Sequence, residues 1–292
     1  MKTTRNVLFI ILMMISSFGF SQRALVPNLS GSYIPQVYPL INPSTIFFTS
    51  DKGNANLGVR QGLGSFNVFK QNNLHVNFLT TKDSVRFQGW GLRLMNDKAG
   101  EYIGINRVSA VYGMALKLSR ETKLSMAVAP TYINYRKQAN TFGDSDAGFT
   151  LDLGLSLEYK DTEFGMSINQ IVPLQLQVID EIDSLKQQLT VLGKQHVDLG
   201  LNFDLDVYAV WFMNRSIQNE LVAGGILTYQ KRFRLGASYE LNRDINFSMG
   251  IRELPLHFWA NGFGLDFVFS VPSLAHKFRN RNTVELILNY DF

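Results

Sequence analysis

The sequence predicts an all-β protein: an antiparallel transmembrane β-barrel of about 14 strands (12–16), with a short N-terminal non-barrel segment and one helical loop. Three features predict it. Apolar and polar residues alternate over long runs, the chain begins with an export signal, and the last alternating run continues to the final residue, Phe292. Successive side chains of a strand point to opposite faces, so alternation gives a strand one apolar and one polar face.

The clearest alternating run is FTLDLGLSLEYK (149–160), in which apolar residues hold every odd position and small or polar residues every even one. The runs VDLGLNFDLD (197–206) and FRLGASYEL (233–241) repeat the pattern. Short polar stretches between runs, such as 160–163 and 242–244, are typical of hairpin turns. Together they predict an antiparallel meander that begins near residue 54 and fills 54–292.

Residues 1–21 have the layout of a secretory signal peptide. Lys2 and Arg5 precede an apolar run from Val7 to Met14, and small residues follow, so we expect cleavage between Ser21 and Gln22. The alternative, a membrane anchor helix, is disfavoured because the run is shorter than the roughly 20 residues that a span requires. The chain is therefore expected to leave the cytoplasm.

The amino-acid composition and the absence of known motifs argue against several classes of function. The chain has no cysteine, so an exported form has no disulfide framework. Its formal net charge is only +4 and its Lys and Arg residues form no stripe, which argues against nucleic acid as a partner. The four histidines lie too far apart for a zinc site, and we expect each to be an interface or loop residue. No nucleophile, metalloprotease or phosphate-loop motif is present, so the sequence predicts no enzyme, cofactor or metal.

Two segments do not alternate. Residues 22–53 contain four of the eight prolines and are predicted to form either a periplasmic arm or an internal plug. The stretch VIDEIDSLKQQLTVL, within 178–193, spaces its apolar residues by four and three positions, which predicts an amphipathic helix. Such a helix could simply cover apolar surface, or it could be presented to a partner or folded into a barrel mouth.

Alternation fits two architectures. A soluble β-sandwich packs the apolar faces into a core, whereas a membrane barrel turns them to lipid and the polar faces to a lumen. Aromatic residues lie at the ends of the alternating runs, as in Phe149 and Tyr159 or Phe233 and Tyr239. Aromatic belts at both interfaces are typical of a spanning barrel, and a closed sheet leaves no backbone group unpaired in lipid. We therefore predict an integral protein of the outer membrane, surrounded by its lipid.

Several short motifs resemble the PorP/SprF outer-membrane proteins of the type IX secretion system in Bacteroidota. YPLINPSTIF (38–47) is similar to an early family motif and matches it at Asn42 and Pro43. Arg60 lies where a second, short family motif begins. NDKAG (96–100) and the strand pair that begins DAGFTLDLGLSLEY (146–159) are similar to central regions of the family. The closing NTVELILNYDF resembles the family's last strand. The positions without an assigned role are Asn42, Pro43, Arg60, Asn96, Asp97, Gly100 and Glu285.

The resemblance implies a non-enzymatic barrel that supports export or surface anchoring of cargo with a type B C-terminal sorting domain, such as gliding adhesins. It also implies periplasmic ring and lipoprotein components of the secretion and gliding apparatus as partners. Outer-membrane barrels generally end on an aromatic residue that is read during insertion, so Tyr290 and Phe292 are predicted as the assembly signal. The alternative function is a passive outer-membrane channel or hydrophobic-solute transporter, which requires the same alternation and export signal.

Overall fold

A computed structural model describes residues 34–48, 52–63, 69–81, 83, 85–99, 103–139, 142–178, 181–185, 187–214, 219–241, 244–253, 262–272 and 282–292. Helix α1 (Ile34–Ile41) and a 3-10 helix (Pro43–Phe48) precede the strands. The strands are β1 (Gly53–Gly62), β2 (Phe69–Thr81), β3 (Arg86–Ala99), β4 (Ile103–Lys117), β5 (Thr122–Ala139), β6 (Phe142–Tyr159), β7 (Thr162–Asn169), β8 (Leu174–Val178), β9 (Glu181–Leu185), β10 (Gln188–Gly200), β11 (Phe203–Asn214), β12 (Glu220–Tyr229), β13 (Phe233–Glu240), β14 (Asp244–Ile251), β15 (Phe263–Pro272) and β16 (Thr283–Asp291).

Fourteen of these strands form one closed antiparallel barrel, which confirms the predicted fold class and strand number. Neighbours in the barrel are neighbours in sequence, except that β7 pairs with β10 because β8 and β9 form a separate hairpin. The barrel closes where β1 pairs with β16, in a register that runs from Asn54 opposite Asp291 to Gly62 opposite Thr283. The alternating last strand is thus one half of the closing seam.

The direction of the alternation decides between sandwich and membrane barrel. On β6, Leu155 on the apolar face is 44% exposed, whereas Ser156 on the other face is 2% exposed. The same holds around the barrel: leucine, phenylalanine and methionine side chains cover the outside, while charged and amide side chains are buried inside. A soluble sandwich has the opposite arrangement, so the apolar outer surface indicates a lipid-facing barrel.

The predicted helix within 178–193 is wrong. Val178 ends β8, residues 181–185 form β9, and residues from Gln188 onward belong to β10. The helical spacing of the apolar residues is coincidental, because in β10 Leu192 is buried on the lumenal face while Leu189 is on the outer face. Cross-strand pairing to β7 and β11 overrides the local pattern.

The start of β1 and the end of β16 lie at the same end of the barrel, here named the terminal end. Apart from residues 252–262, the connections at this end have at most four residues, whereas the opposite end carries the long connection 170–187. Short turns face the periplasm in outer-membrane barrels and longer loops face outward, so we assign the terminal end to the periplasm. None of the described helices has the length and apolar character needed to cross a membrane.

Candidate functional site: an occupied lumen

Residues 34–48, here named the lumenal segment, lie inside the barrel. Every residue from Tyr38 to Phe47 is buried, and their partners come from strands on all sides of the lumen. Ten consecutive buried residues are unusual outside a strand or a long helix, because a loop must satisfy its backbone polar groups wherever it is buried. The contacts of this segment with the barrel wall therefore define the candidate site.

Asn42 anchors the segment to β6 and β7. Its Nδ2 donates to the backbone oxygens of Leu155 and Met166, at 3.2 and 3.3 Å. Its Oδ1 accepts from the backbone nitrogen and the hydroxyl of Ser44, at 3.0 and 2.8 Å. Both donors and the acceptor of the buried amide are thus used, which offsets its desolvation. Pro43 follows as the first residue of the 3-10 helix, a position that does not require a backbone N–H.

Two glycines let Asn42 reach the wall. A Cβ at Gly154 would overlap Asn42 Oδ1 and lie 2.9 Å from Pro43 Cδ. A Cβ at Gly165 would lie 2.7 Å from Asn42 Nδ2. Neither position could hold a side chain without moving the segment, so glycine is required here by close approach. The sequence gives no sign of this, since an alternating strand tolerates glycine on its polar face.

Hydroxyl groups flank the glycines and bind the segment's backbone. Ser156 Oγ donates to the Ser44 carbonyl at 3.2 Å, and Ser167 Oγ donates to the Ile41 carbonyl at 3.1 Å. We name this part of β6 and β7 the polar wall; its members are small and face the lumen, and they are Gly154, Ser156, Gly165 and Ser167. Backbone carbonyls that a loop would otherwise bury unpaired are satisfied here by the barrel.

A second part of the lumenal surface, which adjoins the polar wall where β10 pairs with β7, is apolar. Tyr38, Leu40 and Ile41 pack there against a buried cluster, the apolar wall, whose members are Leu192, Tyr208, Val210, Phe212, Val222, Ile226, Val268 and Ile287. Burial raises the pKa of the Tyr38 phenol well above its ordinary value, with Glu163 as the next cause, so this group stays neutral. The lumen of this barrel is therefore packed like a protein core over this wall.

The end of the segment rests on a third surface. Ile46 and Phe47 pack against small residues of β4 and β5, namely Val111, Ala115, Ala127 and Ala129. Lys123 Nζ donates to the Phe47 carbonyl at 2.8 Å and also pairs with Glu158 at 2.7 Å. The barrel consequently contacts the segment from Tyr38 through to Phe47.

A cavity of about 170 Å³ remains between the segment and the wall. Tyr38 and Thr45 of the segment border it, and charged side chains of both signs face it from the barrel, namely Arg234, Arg252, Lys194, Glu163, Asp206 and Asp291. Asp266 beside it accepts from Asn289 Nδ2 at 2.8 Å and lies 3.3 Å from an Arg234 nitrogen. Charged groups of both signs thus meet at this cavity, next to the lumenal segment.

The predicted family positions divide among three places. Asn42 and Pro43 hold the lumenal segment, as described above. Arg60 of β1 faces Glu285 of β16 across the closing seam. Both side chains are buried, and Arg60 Nε donates to Thr283 Oγ1 at 3.1 Å.

The remaining family positions lie away from the lumenal segment and from the closing seam. Asn96 is on β3 and donates to Asn106 of β4, while Asp97 is buried on the lumenal side of β3. Gly100 lies outside the described residues, as does the predicted signal peptide, residues 1–21. The structure therefore does not gather the family positions into one site.

The chain's last residues complete the seam at the terminal end. The Phe292 ring lies 5.3 Å from the ring of Phe78 and 5.8 Å from that of Tyr290, and its backbone nitrogen donates to the Gly53 carbonyl at 3.1 Å. This places Tyr290 and Phe292 on the outer face of the closing strands. Their role as an assembly signal stays a prediction.

Histidines and acidic groups form no metal site in the described part of the chain. His196 Nδ1 lies 2.8 Å from Asp206, near the turn between β10 and β11. His75 differs from its prediction as an interface or loop residue, because it is buried on the lumenal face of β2. His257 and His276 lie outside the described residues.

A closed barrel with an apolar exterior and a lumen filled by its own chain defines the class: an integral β-barrel protein of the outer membrane. Residues 27–290 match the family described as type IX secretion system membrane protein PorP/SprF. The chain belongs to this family. No curated protein sequence matches it significantly.

Solved outer-membrane barrels share the fold. The toluene transporter TbuX of Ralstonia pickettii is 10% identical with a TM-score of 0.52, over 87% of this chain and 92% of that one. A FadL homologue of Pseudomonas aeruginosa is 9% identical with a TM-score of 0.54, over 86% and 93%. The monoaromatic hydrocarbon channel CymD is 10% identical with a TM-score of 0.53, over 88% and 93%. At these identities the likeness extends to the fold alone.

Proposed function

We propose that this outer-membrane component of the type IX secretion system supports export or surface anchoring of cargo proteins that carry a type B C-terminal domain, such as gliding adhesins. The assignment to the type IX secretion system rests on family membership. The occupied lumen is the observation that supports a platform role, because cargo cannot share a space already filled by residues 38–47.

Under this proposal, partners contact the rims and loops of the barrel. The terminal end offers short turns to periplasmic ring and lipoprotein components, and the connection 170–187 with its β8–β9 hairpin offers the largest described loop on the other side. The role requires no covalent chemistry, so the protein acts as a non-enzymatic scaffold. Its rigid, closed sheet suits this task, since contact residues on a fixed frame lose little conformational entropy on binding.

Deletion of the gene, followed by analysis of surface and secreted proteins, tests the proposal. We expect cargo with the type B domain to be lost from the surface, while exported proteins without that domain stay at normal levels. Re-expression of the full chain should restore the cargo, and affinity purification from native membranes should recover cargo and ring components together. Unchanged surface cargo in the deletion strain would refute the role.

The alternative, a passive channel or hydrophobic-solute transporter, requires a continuous path. Conductance across planar bilayers separates the two functions, because a barrel whose lumen is packed against both walls should pass little current and little solute. A steady conductance comparable to that of an open porin would favour the channel instead.

A further inference from the structure

The outer surface of β2 to β5 changes in chemistry toward the end opposite the terminal end. On these four strands the even-numbered residues face outward, as the exposed side chains of Phe78, Trp90, Val108 and Tyr132 show. Antiparallel pairing aligns the outward residues of neighbouring strands in rows that run across all four strands. Three successive rows near this end differ in character.

The three rows are apolar, then amide, then cationic as the strands run outward. The apolar row consists of Leu74, Leu94, Val108 and Tyr132. The amide row consists of Asn72, Asn96, Asn106 and Asn134. The cationic row consists of Lys70, Lys98, Gly104 and Arg136, and its three charged side chains are exposed. Strand pairing thus brings together cations that are far apart in sequence.

The cationic row lies at the level of lipid headgroups. The ring of Tyr132 contacts that of Phe149 on β6, with centroids 5.2 Å apart, and exposed aromatics of this kind mark the edge of the hydrocarbon. The cationic row is four residues further along, which is about 14 Å along a strand and about 10 Å along the membrane normal at the usual strand tilt. The headgroup layer begins directly outside the hydrocarbon core. Because the terminal end is periplasmic, this row faces the outer leaflet.

The positions of the three charges favour a bound anion. Lys70 and Lys98 are directly opposite each other on neighbouring strands, an arrangement that is destabilising for like charges alone. Lys98 and Arg136 are two strands apart, about 10 Å, with Gly104 between them. A Cβ at Gly104 would have its nearest atom, the Asp97 carbonyl oxygen, at 3.8 Å, so glycine leaves usable space open here. An anionic group over Gly104 would contact cations on both sides.

This layering is a local feature of the barrel rim. On β11 to β16, the outward strand residues nearest the same end are apolar or aromatic, and they are Met213, Leu221, Tyr239, Ile245, Val271 and Val284. The two halves of the barrel therefore present different surfaces to the same leaflet. A uniform headgroup layer does not by itself account for cations on one half alone.

We infer that the cationic row binds the phosphorylated headgroup of an outer-leaflet glycolipid. Lys70, Lys98 and Arg136 hold the phosphate by charge-assisted hydrogen bonds. The row spans three strand intervals, roughly 14 Å, which exceeds one phosphate and leaves room for the attached sugar. The amide row below it faces the carbonyl groups that join the acyl chains to the sugar, and the apolar row faces the chains. The inference rests on the outer-membrane location and not on the secretion role.

Titration of the purified full-length mature protein in detergent tests this site. The probes are monophosphoryl lipid A and its dephosphorylated counterpart with the same acyl chains, and native mass spectrometry measures the bound fraction. We expect the phosphorylated form to bind at least tenfold more tightly. Inorganic phosphate at the same concentration should not displace it. Equal binding of the two lipid forms would overturn the inference, as would displacement by inorganic phosphate, which would indicate a site for free anions.

Charge-neutralising variants locate the site. Lys70→Gln, Lys98→Gln and Arg136→Gln should each weaken binding of monophosphoryl lipid A roughly fivefold, and the combined variant on the order of 100-fold. The matched control removes three exposed cations from turns at the terminal end, by Lys160→Gln, Lys231→Gln and Arg232→Gln together, and should keep the affinity.

The heat-modifiable band on gels verifies assembly of each variant. Undiminished affinity in the combined cationic-row variant contradicts the site, as does an equal loss in the control. If the combined variant does not assemble, the single variants and the comparison of the two lipid forms on the unaltered protein still decide.

Discussion

The polar wall and the apolar wall hold the same lumenal segment with different chemistry. On the polar wall, β6 and β7 present glycines and serines, and the segment is bound there by directional hydrogen bonds to Ile41, Asn42 and Ser44. On the apolar wall, β10, β11, β12, β15 and β16 present bulky side chains, and the segment is bound by burial of Tyr38, Leu40 and Ile41. Hydrogen bonds fix position and orientation, whereas burial supplies non-directional stabilisation.

This difference predicts that the two walls respond differently to substitution. Changes on the polar wall should displace the segment, because the close contacts and hydrogen bonds there leave no room for a larger side chain. Changes on the apolar wall should lower stability while the segment stays seated, since apolar contacts are lost gradually with volume. The following predictions start with the largest expected effect.

Gly154→Leu should have the largest effect. Its side chain would occupy the position of Asn42 Oδ1, and overpacking of this kind costs typically about 1–3 kcal/mol, occasionally more. We expect the segment to leave its seat and the conductance in planar bilayers to rise well above that of the unaltered barrel. Gly193→Leu is the matched control, because its Cβ would meet no atom closer than 4.0 Å. Equal conductance in Gly154→Leu and Gly193→Leu would show that the polar wall does not hold the segment.

Asn42→Leu should have the next largest effect. The substitution keeps the volume but removes the hydrogen bonds to β6, β7 and Ser44, at a cost of about 1–3 kcal/mol. Thermal unfolding in detergent measures the loss, and protease digestion of residues 22–48 measures release of the segment. Asn134→Leu, on the outer face of β5, should leave both unchanged. Faster digestion in neither variant would contradict the anchoring role of Asn42.

Ile226→Val should have a smaller effect. Removal of one methylene group from this fully buried side chain of the apolar wall costs about 0.5–1.5 kcal/mol. The unfolding midpoint should fall while the conductance stays low, in contrast to Gly154→Leu. Leu235→Val on the lipid-facing surface serves as control and should change neither quantity. A conductance rise in Ile226→Val would remove the distinction between the two walls.

Removal of Phe292 should leave the seated segment almost untouched, because this residue lies on the outer face of the seam. We expect instead a lower yield of assembled barrel, read as the heat-modifiable band on gels of outer membranes. Phe149→Ala, which removes an exposed aromatic far from the seam, should reduce the yield less. If both variants assemble equally well, Phe292 carries no assembly signal.

The sequence was sufficient for the outside of the barrel but insufficient for its inside. Lipid favours apolar side chains at outward positions, so alternating runs such as 149–160 predicted the strands, their number and the location in a membrane. The lumen imposes no common requirement, because each inward residue meets a different part of the lumenal segment. One signal was nevertheless available: residues 207–212, VYAVWF, are apolar on both faces, which is typical of a strand buried on both sides.

Two other features could not be predicted from the local sequence pattern. Gly154 and Gly165 read as small residues on a polar face, and only the position of Asn42 makes them indispensable. The spacing within 178–193 satisfied a helical period, yet pairing with β7 and β11 made the second half of that stretch a strand. Long-range contacts decided both cases, and a local period does not contain them.

The lumenal segment is joined to β1 through only four residues, 49–52. Such a short tether keeps the segment at an effective concentration on the order of millimolar or higher next to its seat. A segment pulled out of the lumen would therefore return at once after the pulling force ends, and a free peptide of the same sequence would compete poorly with it. Any lasting opening of the unaltered barrel therefore requires a second occupant that remains in the lumen in its place.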